Sequence, residues 1–145
     1  MLPKTHIFLG LIFSLLLKAI FPLTNWFYIF IIFLSSFLID FDHYVAAVKT
    51  TKKWSLKKAL NYYEKLGIEE EKRYARGIRK KGHFYLFHTL EFHALVGIIG
   101  IWFAPFMYIF IGMVFHSLLD FIFMIIEDKV YHREYFLFNW LKMRL

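Results

Sequence analysis

Four runs of this chain, residues 9–20, 26–39, 94–104 and 106–126, are nearly free of charge, and only Lys18 and Asp120 interrupt them. An isolated charge at mid-bilayer costs about 2.5 kcal/mol or more on insertion scales, so runs of this kind are what a lipid interior selects. Of the 145 residues 59% are apolar and 22% aromatic, and the mean hydropathy of +0.51 lies outside the range of soluble domains. The first two runs are short against the roughly 20 residues a helix needs to cross hydrocarbon, so flanks such as residues 5–8 and 40–44 must continue those helices. No small-x-small cleavage site follows the first run, which is therefore expected to stay as a span rather than act as a cleaved signal.

The pattern predicts an all-α integral membrane four-helix bundle, built as two helical hairpins. Its helices are expected at 5–21, 25–44, 83–104 and 105–127, with a polar insertion at 45–82 and an interfacial tail at 128–145. Pro22 and Pro105 sit at or near the hairpin turns. Every basic residue except Lys18 then falls on one side, and the positive-inside rule places that side, with both termini, in the cytoplasm. Within the insertion Leu56, Ala59, Leu60, Tyr63 and Leu66 recur at helical spacing, with Ser55 as cap and Gly67 as stop. Glu69 and Glu70 lie within a turn of Arg73. In the tail, Tyr135, Phe136, Phe138 and Trp140 beside Arg133, Lys142 and Arg144 suit a short interfacial helix. Basic charge beside a span favours anionic lipid headgroups over nucleic acid as its partner.

The same topology gathers polar residues at that side. His116 and Asp120 are four apart on an apolar helix and stack on one face, as a ligand pair or as a ligand with its supporting partner. Asp40 and His43 share a face while Asp42 points elsewhere, so all three meet one centre only where the helix frays. His88 and Glu91 share a face; His83 joins them only from a loop ahead of the helix. His6 precedes the first span on the same side. His93 reads as a ligand or as a polar contact between helices. The chain has no cysteine, which leaves imidazole and carboxylate as the strong metal ligands.

Together these residues resemble the predicted membrane-bound metal-dependent hydrolases, the YdjM-like family of small inner-membrane proteins. The likeness rests on His6, on Asp40-Phe41-Asp42-His43 for Asp-x-Asp-His, on His83 and His88-Thr89 for His-Arg-x-x-Thr-His-Ser, and on His116 to Asp120 for His-x-x-x-Asp. Phe84 and Phe87 stand where the family has Arg and Thr, and Thr89 where it has Ser. The resemblance implies hydrolysis.

From the residues themselves, His6, Asp40, His43, His83, His88, His116 and Asp120 are the candidate ligands of one or two divalent ions. Zinc ranks ahead of manganese or iron because imidazoles predominate. Asp42 and Glu91 are the candidate proton carriers, and the expected substrate is an amphiphilic phosphoester or ester whose tail stays in lipid. The rival readings are a metal-binding or metal-transporting membrane protein and a membrane-tethered interaction protein. Gly10, Gly97, Gly100 and Gly112 offer close-packing points without fixing an oligomeric state.

Overall fold

The computed structural model describes residues 3–144, and the elements among them are helical. Helix α1 spans Pro3–Ile20 and turns back into α2, Trp26–Leu38. Lys18 Nζ donates to Pro22 O at 2.6 Å and Thr24 O at 2.7 Å, so the isolated cation closes the hairpin turn. Asn25 caps α2 by accepting from Phe27 N at 2.9 Å.

Near the end of α2, Ser35 and Ser36 bond back to carbonyls of their own helix, Ser35 Oγ to Ile31 O and Ser36 Oγ to Phe33 O. Such back-bonding bends a helix. The chain breaks at Ile39 and Asp40 and resumes as α3, Phe41–Thr51. The predicted second helix, 25–44, is therefore interrupted but runs on to Thr51. Taken together Trp26–Thr51 spans 26 residues, long and apolar enough to cross a membrane.

Helix α4, Leu56–Ala75, forms the body of the insertion and continues past Gly67. An interior glycine costs about 1 kcal/mol, and the strong helix formers Glu69 to Lys72 outweigh it. The stop lies instead at Gly77, in the left-handed region at φ 73°, where Ile78 N reaches back to Arg73 O. The third predicted helix, 83–104, starts late. Residues 83–85 are irregular, Leu86–His88 form a 3-10 turn, and α5 spans Leu90–Trp102 under a Thr89 cap. Helix α6, Ala104–Ile126, is the second element long and apolar enough to cross a membrane, with Pro105 in its first turn.

Beyond α6 a 3-10 turn at Val130–His132 leads to α7, Leu137–Lys142. The tail folds back over the start of α5: Gly82 N donates to His132 O at 2.8 Å and Leu90 N to Tyr135 O at 2.9 Å. Phe84 and Trp140 stack with ring centroids 4.2 Å apart.

Helix α2 packs most extensively on α6, then α1 on α2 and α5 on α6. Small residues allow these approaches: a Cβ at Gly112 of α6 would lie 2.5 Å from Ile32 O of α2, and one at Gly10 of α1 would strike the Ser36 side chain. The interior they enclose is mixed, with Ile29, Ile32, Ile39, Val96 and Met113 buried beside many polar side chains. The largest fully buried side chains include His6, His116, Thr89, Ser14 and Ser36, whereas Phe8, Ile20, Phe30, Ile101 and Ile126 face outward. This inversion of a soluble core is what a lipid surround favours.

Candidate metal centre

Four elements deliver the polar side chains to one place. The break between α2 and α3 carries Asp40, the 3-10 turn presents His88, α6 carries His116 and Asp120, and the first turns of α1 carry His6. His88 Nε2 and His116 Nε2 lie 3.2 Å apart, and Asp40 Oδ1 lies 3.5 Å from the first and 3.4 Å from the second. Asp120 Oδ2 stands 3.4 Å from His116 Nε2.

The hydrogen bonds on the far side of each ring decide what those nitrogens hold. His88 Nδ1 donates to Asp42 Oδ2 at 3.1 Å, and His116 Nδ1 donates to the Ser36 carbonyl at 2.9 Å. In the neutral rings both Nε2 atoms then carry lone pairs. With both rings neutral, two lone pairs and a carboxylate oxygen converge on one gap, a repulsion that a proton or a metal cation between them would relieve. Bonds of about 2.0–2.1 Å in a tetrahedral centre would put neighbouring ligand atoms about 3.3 Å apart, which the three separations match. The carboxylate and carbonyl behind the imidazoles are the usual orienting partners of metal-bound histidine. The donor set fits a divalent ion.

His6 Nε2 donates to Asp120 Oδ1 at 3.1 Å while its ring stacks on His116 with centroids 3.9 Å apart. His43 Nδ1 lies 3.7 Å from Asp40 Oδ1 and 3.7 Å from Asp42 Oδ1. Its ring is clamped against Tyr85 at 3.7 Å between centroids, nearly parallel. Among the described residues His6 Nδ1, Asp42 Oδ1 and His43 Nδ1 are buried without a hydrogen-bond partner. The last two lie 3.7 Å apart, and His43 Nδ1 is equally far from Asp40 Oδ1; Asp40, His43 and His88 form a further group that could hold an ion. Outside the spans, burial pushes the Tyr63 hydroxyl up to about 12 and raises that of Tyr85 further. Both stay protonated, so Tyr85 donates to Tyr63 and Tyr63 to His43 O at 2.8 Å, fixing His43 from behind.

Two predicted site residues are not brought to the cluster. Glu91 and His88 do not share a helical face, because Thr89 is extended at ψ 148° and separates the 3-10 turn from α5. The Glu91 carboxylate instead accepts from Leu137 N at 2.9 Å and Phe138 N at 3.3 Å, capping α7. His83 does lie in the segment ahead of the helix, but its Nε2 is 2.8 Å from the Tyr62 hydroxyl, on the insertion. His93 is a contact between helices, bonded to Thr89 O and to Ser117 Oγ.

One residue joins the cluster unforeseen. Arg133, expected among headgroups, places a terminal guanidinium nitrogen 2.8 Å from Asp120 Oδ2. Nothing in its spacing announces this, since the contact depends on the tail folding back. The Ser36 carbonyl was equally silent, being main chain.

The family model described as YdjM inner membrane protein matches residues 1–124, which include every imidazole and carboxylate of the cluster and exclude Arg133. No curated protein and no solved structure matches the chain.

Proposed function

The chain belongs to the YdjM inner membrane protein family, and we propose that it is a membrane-embedded metal-dependent hydrolase acting on a phosphoester or ester of a lipid-like substrate. The observation that carries this reading is the convergence of His88 Nε2, His116 Nε2 and Asp40 Oδ1 within 3.5 Å of one another, with both imidazoles oriented from behind. His88, His116, Asp40 and Asp120 would hold the principal ion, zinc ahead of manganese or iron, and His43 would join Asp40 where a second is bound. A divalent ion supplies water of lowered pKa and polarisation of the bond under attack.

The remaining work falls to the chain. Asp42 uses Oδ2 to aim His88 and to accept from Phe87 N, while its buried Oδ1 is the carboxylate oxygen available to take up and return a proton. His6 holds Asp120 from the opposite side. The basic charge of the insertion and tail supports a site at the cytoplasmic face, where it would draw anionic headgroups.

A lipid-like substrate is favoured by an apolar cavity of ≈330 Å³ lined by Leu34, Leu38, Ile39, Phe87, Phe92 and Met113. Two of its lining residues, Ile39 and Phe87, directly precede Asp40 and His88 in the chain. Transport is less well supported, because Lys18, the charge at the far end of the hairpin, is engaged by turn carbonyls rather than lining a polar path.

The test is elemental analysis of protein purified in detergent without chelator, joined to hydrolysis of phosphoester and ester lipids. Bound metal and turnover, both lost in His116→Ala, are expected. Protein that holds no metal, or that holds it and cleaves neither class, overturns the reading.

A further inference from the structure

Arg133 is the one guanidinium brought to the cluster among the described residues, and the tail is strapped on both sides of it. His132 accepts from Gly82 N through its carbonyl and bonds Lys80 O through its ring. On the other side Glu134 is buried, ion-paired to Lys81 and bonded by Asn139 at 3.0 Å, and Tyr135 O accepts from Leu90 N. A lone counter-charge for Asp120 would not need a strap on each flank. The side chain is 14% exposed, so it is neither a solvated tail cation nor sealed away.

A guanidinium carries five N–H donors in a planar fork. One nitrogen meets Asp120 Oδ2, and no other carboxylate within ion-pair distance of Arg133 occurs among the described residues. The Asp120 oxygen it touches is also the one 3.4 Å from His116 Nε2, so the guanidinium borders the ligand cluster. Such a fork suits the paired oxygens of a tetrahedral oxyanion.

We propose that Arg133 is a specificity-determining residue that binds the phosphoryl oxygens of the ligand, making the substrate a phosphate ester rather than a neutral carboxylic ester. This rests on the hydrolase reading for the word substrate, but the binding itself does not.

The experiment measures binding of inorganic phosphate by calorimetry to the full chain in detergent, and binding to phosphatidylcholine nanodiscs with and without phosphatidic acid, each with metal content determined in parallel. Arg133→Gln is expected to weaken binding roughly ten- to a hundredfold, the worth of a charge-assisted contact, with metal content unchanged. Arg133→Lys, which keeps the charge and loses the fork, should fall between. Preference for the phosphatidic acid discs assigns the phosphate to a lipid headgroup, and binding confined to inorganic phosphate assigns it to a soluble ligand; both support the proposal. Wild-type protein that binds neither probe overturns it, as does Arg133→Gln binding both as wild type does. If Arg133→Gln loses its metal, Arg133→Lys decides: metal retained with weaker phosphate binding supports the proposal, and unaltered binding overturns it. Wild-type protein free of metal that still binds phosphate through Arg133 would sink the hydrolase reading alone.

Discussion

His88 Nε2 and His116 Nε2 face each other at 3.2 Å while their Nδ1 atoms donate in opposite directions, to Asp42 and to the Ser36 carbonyl. The gap between them is stable when a cation shields the facing lone pairs. Chelation should therefore lower the thermal midpoint in detergent. A bound ion at a hundredfold excess over its dissociation constant contributes about 2.7 kcal/mol. Differential scanning with and without chelator checks this, and His88→Ala should be indifferent to the chelator.

Asp42→Asn keeps an oxygen facing His88 Nδ1 but removes the charge behind the ring. Metal affinity should drop roughly 10- to 100-fold with the helical content unchanged, the usual cost of a weakened orienting partner. Competition against a chromogenic chelator measures it. Unaltered affinity would show that His88 is aimed without help from the carboxylate.

Glu91→Ala removes both acceptors from the first amides of α7. The helix should loosen by about 1 kcal/mol, the cost of a lost cap. Hydrogen exchange at Leu137 and Phe138 should rise while metal content stays as in wild type. A loss of metal would return Glu91 to the cluster.

Acid should release the tail through Glu134. Burial favours the neutral form of this carboxyl, but the bond from Asn139 and the Lys81 ion pair outweigh it and hold the group below its ordinary 4.5. A depressed folded-state value means stabilisation that is complete above 4.5 and is lost as pH falls through the folded value. Trp140 fluorescence should report undocking in that acidic window, and Glu134→Gln should flatten the dependence.

Much of the cluster was legible because the charge-free runs mark apolar helices, and Asp40, His43, His88, His116 and Asp120 all fall at one end of them or, in α6, within reach of it. Helical periodicity then misled at two points for one reason. It assumes an unbroken helix, and the Ser35 and Ser36 back-bonds end α2 at Leu38 while Thr89 separates His88 from Glu91. Arg133 escaped because its place is set by main-chain bonds from Gly82 and Leu90, groups that every residue carries and no side-chain pattern marks. The length of α4 escaped because Gly67 is tolerated inside a run of strong helix formers and only Gly77 adopts the left-handed turn.

Ser36 belongs to two contacts at once: its carbonyl accepts the hydrogen bond from His116 Nδ1, and its side chain occupies the notch left by Gly10 on the neighbouring helix. The aim of an imidazole on α6 thus depends on a missing methyl group on α1. Enlarging Gly10, which is itself none of the candidate ligands, would push the serine aside and so disturb the aim of His116.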